Sequence, residues 1–554
     1  MKKKFVKITE NRLILISILS ILFAFIIGRW GIWNYFMFPN IGGDGFQYME
    51  VVYEIWNGQL PTFHFIGPGY PFFILLSRVI SNTLDATIYL QQAFSLVSIL
   101  ILVYSFKEKP NQLIAVTFFG IVYLLSDKTI RWETYLVPDN LISNGLILFS
   151  ALFFLSIKRQ NSFFPIASAF LIVFLIGVRS SSIFLIVIAL LIAIFYIITK
   201  RKKHLIYFTS SILLCLFVFA SYNYFFSIEN KFNILTYGRS NSEFKYEEGL
   251  MQNKIPIKRI SSNIIAPNNY KLAQLALSNL PEDSTIFKYF YSWNPKEITQ
   301  SVLDCRFGIN AYELNDSTFE ICRMVLPSND CPESKVCTAM KNKWKNSYTT
   351  TEIVGAINNN SNKSTFSPFE QTIRNALAYH FNISFPYGYV YYGNLKHTYL
   401  TTGSKTDQLI QYYYSDSKYL DIMTFIFKGN HEMPDELGFE TRLKEMKQSI
   451  PFKLYDIYFV KIYQKIIFSN FWLYLSLIAL IYYVLKSFIN KNIESTNVYV
   501  FILCMIALGS SLIFAKYGNP LPRYAFTTEF TYYLVSFLFI AEICEFFLIK
   551  IKKK

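Results

Sequence analysis

The side chains in this chain that could move a proton or grip an anion sit at the edges of long apolar runs. Asp44 lies in the turn Gly42-Gly43-Asp44-Gly45, where glycine lets another molecule approach the backbone. Glu133 and Asp139 follow a later apolar run, Arg179 stands between two more, and Arg523-Tyr524 precede the last. A carboxylate in a partly desolvated setting can act as a general base, and arginine grips phosphate oxygens with a planar fork. Each residue also has a plainer reading. Asp44 fits a solvated loop, Asp139 after Pro138 suits a helix N-cap, and an arginine at a span end can snorkel. His64 could touch a phosphate or an acceptor, or be a satisfied loop histidine. The five histidines show no metal-ligand spacing, and no nucleophile triad is evident.

The residues after Asp44 read as a short helix. Tyr48, Val52 and Ile55 share one face, and Gly58-Gln59-Leu60-Pro61 ends it. Gly67-Pro68-Gly69-Tyr70-Pro71 then forces a second turn, placing Tyr70 beside it. Residues 71–81 are apolar but too short to span a bilayer, so a helix near the interface is expected.

The elements that position these residues are membrane helices. The chain has 554 residues, 53% hydrophobic and 18% aromatic. Apolar runs of bilayer length recur, at roughly 12–33, 85–106, 110–126, 140–157, 163–179, 181–199, 205–226, 465–487, 497–516 and 525–549. The net charge of +16 is not a nucleic-acid signal, because lysines cluster at the ends of alternate runs. Lys2-Lys3-Lys4, Lys107, Lys109, Lys158-Arg159, Lys200-Arg201-Lys202-Lys203, Lys486, Lys491 and the terminal lysines all fall on one side of an alternating topology. This is the positive-inside pattern and puts both termini in the cytoplasm. The first run has no evident cleavage site after it and reads as a retained span. Asp44, Glu133, Asp139, Arg179 and Arg523 then all face outward. Glu529, Glu542 and Glu545 are acids inside the last run. The expected domains are a transmembrane module over 1–226, a polar external domain over 227–462 and a second transmembrane module over 463–554.

The order and sidedness of these motifs resemble the GT-C membrane glycosyltransferases, in particular the protein-mannosyltransferase and aminoarabinose-transferase group. The matching residues are Asp44, Tyr48, Gly58 and Gly67-Pro68-Gly69-Tyr70-Pro71 in the first external loop. Pro138-Asp139-Asn140-Leu141, with Glu133 as a nearby alternative, matches the acid before the fourth span. Gly177-Val178-Arg179-Ser180 and Arg523-Tyr524 match arginines that open later spans, although the usual proline after the first arginine is missing. The likeness covers roughly 10–240 well and 465–549 loosely, and 227–462 has no counterpart. It implies about ten transmembrane helices of GT-C type, with an extracytoplasmic mixed α/β domain inserted before the last three. It also implies an inverting transferase in a bacterial cytoplasmic membrane, moving a sugar from a polyprenyl-phosphate donor to a glycan, lipid or protein acceptor outside. By the same resemblance Asp44 is the base, assisted by Asp139 or Glu133. Tyr48, His64, Tyr70, Arg179, Arg523 and Tyr524 bind substrate. No cofactor is demanded. The first loop lacks an acidic pair, which leaves a divalent cation open without a ligand set. The bilayer is the other partner, and no nucleic acid is expected.

Cys305, Cys322, Cys331 and Cys337 lie in the external stretch. Outside the cytoplasm an even number favours disulfides, in any of three pairings, and CxxC spacing for zinc is missing. Two other classes stay open: a polysaccharide or lipid-glycan transporter or flippase, and an O-antigen-type polymerase or ligase.

Overall fold

The computed structural model describes residues 2–35, 45–59, 67–81, 84–226, 376, 436–454, 471–490, 494–517 and 522–552. The described residues contain helices and no strand. In chain order they are α1 (Lys2–Tyr35), α2 (Gly45–Trp56), α3 (Gly69–Ile80), α4 (Asp85–Ser105), α5 (Pro110–Leu124), α6 (Asp127–Thr134), α7 (Asp139–Lys158) and α8 (Phe163–Val178). A 3-10 turn (Ser180–Phe184) leads into α9 (Leu185–Ile198) and α10 (Lys202–Phe226). The C-terminal part contributes α11 (Glu436–Gln448), α12 (Ile450–Leu454), α13 (Phe471–Asn490), α14 (Ser495–Tyr517) and α15 (Pro522–Lys552). Residues 227–375 and 377–435, with the four clustered cysteines and most of the expected external domain, lie outside the described residues.

Among the described residues six helical stretches are long and apolar enough to cross a bilayer: Asn11–Tyr35, Asp85–Ser105, Asp139–Lys158, Ser181–Ile198, Ser495–Ile513 and Phe526–Leu548. A seventh span results if Pro110–Leu124 and Lys128–Thr134, bent by 53° at their junction, count as one. Gly69–Ile80, Phe163–Val178 and Phe471–Ser487 are shorter apolar helices. Every apolar run in the sequence carries a helix, and this is the build of a helical multi-pass membrane protein. Apolar runs take this form because hydrocarbon offers no partner to a backbone amide, and a helix satisfies its own.

The local signals act as their chemistry dictates. Gly58 has φ 71°, and α2 ends there with Gln59 N–H donating to Glu54 O (2.8 Å) and Gly58 N–H to Ile55 O (3.0 Å). This double closure needs a left-handed residue, which glycine adopts without a Cβ penalty. Pro110 opens α5, where its missing N–H costs nothing. α8 stops because Arg179 is extended (φ −155°, ψ 128°).

α7 is the centre of the bundle. Its membrane window is 94% buried, against 50% for α4, and α4, α8, α14 and α15 pack around it. The α4–α7 contact is lined by short polar side chains. Asn144 donates to Ser95 Oγ (2.8 Å) and Tyr123 donates to Asn144 Oδ1 (3.1 Å). Ser95 and Ser98 donate back to Gln91 O and Phe94 O of their own helix. Small hydroxyl residues let helices approach closely in a membrane, and here their protons are committed within the seam.

The basic residues gather at one end. Lys158 donates to Ser105 O (3.2 Å), Arg201 to Ser156 O (3.0 Å) and Lys109 to Thr496 Oγ1 (2.7 Å). Lys486 pairs with Glu494 (3.0 Å) and with Glu542.

At the opposite end, α3 starts against the end of α8. A Cβ added to Gly69 would lie 2.7 Å from Val178 N and 2.8 Å from Gly177 C, so the helices touch backbone to backbone. A Cβ added to Gly67 would meet Gly177 O at closer range still. Gly69→Ala is expected to destabilise the protein by about 1–3 kcal/mol, since a helix end cannot yield as a flexible side chain does. Thermal unfolding in detergent, with wild type alongside, reads the change; an unaltered midpoint means the turn is not packed this way.

Candidate functional site

The close contact between α3 and α8 leaves Arg179 at the end of the bundle. Its guanidinium pairs with the Asp139 carboxylate at 2.6 Å. Asp139 occupies the first helical position of α7, preceded by Pro138, and no side-chain cap bond forms there. The N-cap reading of Asp139 therefore gives way to an ion pair across two helices. The Asp139 side chain is 2% exposed and that of Arg179 is 15% exposed, so the guanidinium is the half of the pair that faces the surroundings.

Tyr70 completes this corner from α3. It is fully buried, its ring meets Tyr48 of α2 edge-on (5.1 Å between centroids), and its hydroxyl donates to Gln91 Oε1 at 3.3 Å. Burial, then the neighbouring Tyr48 and the negative charge of Asp139, push the Tyr70 hydroxyl well above the usual tyrosine range. It remains a neutral hydrogen-bonding group at any ordinary pH. Gln91 is anchored by donating to Glu133 O (2.9 Å) and Tyr135 O (3.1 Å).

Glu133 stands apart from this corner. Its carboxylate pairs with Arg29 of α1 at 2.6 Å, and both side chains are 0% exposed. Arg29 also donates to Leu124 O (2.8 Å) and lies over the Phe25 ring (4.3 Å). A carboxylate so enclosed holds helices together and meets no substrate in this arrangement. Glu529 belongs to a further cluster, receiving both Lys128 (2.7 and 2.9 Å) and Tyr533 (2.8 Å).

The structure thus brings Tyr48, Tyr70, Asp139 and Arg179 together and sets Glu133 beside them in a separate pair. Asp44, His64 and Cys305, Cys322, Cys331 and Cys337 lie outside the described residues. Arg523 and Tyr524 fall in the first turn of α15, and their side chains are outside the description. Among the described residues no group of three His, Cys, Asp or Glu is arranged to hold a metal ion. Sequence reasoning missed Arg29, Gln91 and Lys128. Arg29 carried a signal: an arginine inside an apolar run is costly, and so demands a partner.

Removing one member of the buried pair strands the other. Arg29→Leu is expected to lower stability by about 3–5 kcal/mol, and Arg29→Leu combined with Glu133→Leu to recover a large part of that. Thermal unfolding of the purified variants tests it, and a double variant as weak as the single one refutes the pairing.

No known family's sequence profile matches the chain, and a search of curated proteins finds no match.

Proposed function

We propose that the chain is a GT-C-type glycosyltransferase of a bacterial cytoplasmic membrane. It transfers a sugar, with inversion, from a polyprenyl-phosphate donor to a glycan, lipid or protein acceptor on the outer face. One observation carries the reading. Three motifs distant in sequence, the Gly67–Pro71 turn, Asp139 and Arg179, meet at the end of the bundle opposite the lysines. In this reading about ten helices span the bilayer, both termini are cytoplasmic, and residues 227–462 form an external domain over the site.

The acceptor hydroxyl attacks the anomeric carbon as the bond from that carbon to the phosphate oxygen breaks. The hydroxyl proton passes to Asp44, and the lipid phosphate leaves with the bonding pair. Arg179, and Arg523 from the start of α15, neutralise the charge that develops on the departing phosphate. Asp139 orients Arg179. Its near-complete burial and single described cationic partner suit that role better than contact with the acceptor. Tyr70, held neutral and pointed at Gln91, keeps the corner closed beneath Arg179.

Asp44→Asn expressed in the native host at matched membrane levels tests the reading by mass spectrometry of lipid-linked sugars and envelope glycans. One sugar is expected to vanish from a glycan while its polyprenyl-phosphate form accumulates. Profiles equal to wild type refute it. Arg179→Ala is expected to reduce turnover by about 10²–10³-fold, the scale for losing one preorganised partner of a developing charge. Arg179→Lys should restore only part, since ammonium lacks the fork.

A further inference from the structure

The lysine-rich end holds a cluster that the transferase reading does not use. Arg159, just after α7, donates to the Tyr104 hydroxyl at 3.1 Å. Lys107, just after α4, donates to the same hydroxyl at 3.2 Å. Both cations also lie over the ring: Lys107 Nζ 4.5 Å and Arg159 Cζ 5.1 Å from its centroid. Arg159 Cζ also lies over the Phe164 ring, at 5.8 Å from its centroid. Neither Lys107 nor Arg159 has a carboxylate partner among the described residues. Glu108 is the nearby acid, and its interaction is with Lys158. Lys158 is committed elsewhere, to Ser105 O and the Phe154 ring.

The phenol accepts two cationic donors, and among the described residues nothing accepts its own proton. Lys107, Arg159 and the Tyr104 O–H therefore present converging donors around one point, with no anion supplied by the described part of the protein. Tyr104 is 37% exposed, which leaves the point open. Exposed apolar side chains lie on the helices on either side of it: Val97, seven residues before Tyr104 on α4, and Ile166 and Phe170 on α8, beyond Phe164. A charged cluster set at the end of helices with exposed apolar side chains suits a molecule with a phosphate at one end and hydrocarbon at the other.

We infer that Lys107, Arg159 and Tyr104 form a seat for the phosphodiester of an anionic phospholipid, whose acyl chains lie along the exposed faces of α4 and α8. The phosphate oxygens receive the lysine and guanidinium protons and the Tyr104 O–H, and no covalent step is involved. The site is at the opposite end of the bundle from Arg179, so it stands whether or not the transferase reading does.

Native mass spectrometry of the full chain in detergent tests the site, with phosphatidylglycerol, phosphatidylcholine and inorganic phosphate as separate additions. Phosphatidylglycerol is expected to form a resolved one-to-one adduct in preference to phosphatidylcholine. In the Lys107→Ala/Arg159→Ala variant, half-saturation should need about an order of magnitude more lipid. Lys107→Arg should retain the adduct, and so should Lys203→Ala, which removes an exposed charge at the same end. Tyr104→Phe should weaken it without affecting the thermal midpoint. Equal adducts with phosphatidylcholine, an unchanged double variant, or equal loss in Lys203→Ala overturn the site. Inorganic phosphate competing at the same concentration as the lipid overturns the lipid assignment and leaves a free-phosphate site. If the double variant unfolds, retention by Lys107→Arg and weakening by Tyr104→Phe decide the matter.

Discussion

Arg29 is the side chain on which one end of this bundle depends. It sits in an apolar helix, where an unpaired guanidinium would be prohibitively costly, and nothing in hydrocarbon can meet its protons. Its partners come from the place where the next elements need help. α5 ends at Leu124, and a helix end leaves carbonyls without intrahelical donors. Arg29 takes the Leu124 carbonyl and, through its other terminal nitrogen, the Glu133 carboxylate of α6. One cation thus closes the end of α5 and ties down the short helix that turns away from it by 53°. Gly28 makes the approach feasible: a Cβ there would stand 3.2 Å from both Leu124 O and the Ile130 side chain. The break between α5 and α6, α1 and the buried pair form one unit.

That unit sets the frame for the exposed corner. Because Glu133 is locked, its backbone carbonyl and that of Tyr135 stand still and hold the Gln91 amide. Gln91 in turn receives Tyr70, and Tyr70 fixes the start of α3 and the ring of Tyr48. α3 then lies backbone to backbone against the end of α8, where the chain becomes extended at Arg179. Non-helical backbone at such a place is tolerated in a membrane protein where protein or a wet cavity surrounds it. The route from Arg29 to Arg179 runs through buried groups joined by hydrogen bonds. Only the last one, the guanidinium at 15% exposure, reaches outward.

Most of the helical frame was legible in the sequence. Apolar runs of bilayer length, with glycine or proline at their edges, can do little except form helices. The turn at Gly58, the short helix after Asp44 and the stop at Arg179 follow from local chemistry alone. Pairings were not legible. Arg29 and Glu133 are far apart in the chain, and without the fold Glu133 looks as available as Asp139. Both are acids just beyond an apolar run, and only packing shows that one is sealed against an arginine while the other holds an arginine at the rim. Asp139 after Pro138 looked like a cap for the same reason: local rules see the helix start and not the cation from α8. The count of spans resisted for a physical reason too, since α8 and α13 are apolar but short, and α5 with α6 is bent.

The two ends of the bundle treat their cations differently, and the contrast bears on what each end can do. At the outer end Arg179 pairs with Asp139 and Arg29 with Glu133, so in the proposed reading an incoming phosphate must compete with Asp139 for the Arg179 guanidinium. In that reading the competition favours a ligand carrying more negative charge than one carboxylate, as a phosphate does while it departs. At the lysine end the described contacts of Lys107, Lys109, Lys158 and Arg159 include carbonyls, a phenol and the Thr496 hydroxyl, which orient them, while Lys486 pairs with Glu494 and Glu542. In the inferred lipid seat, that positive charge is offered to the headgroup layer. In the proposed readings, an end that keeps its charge suits an anionic surface, and an end that pairs it suits an anion held briefly and released.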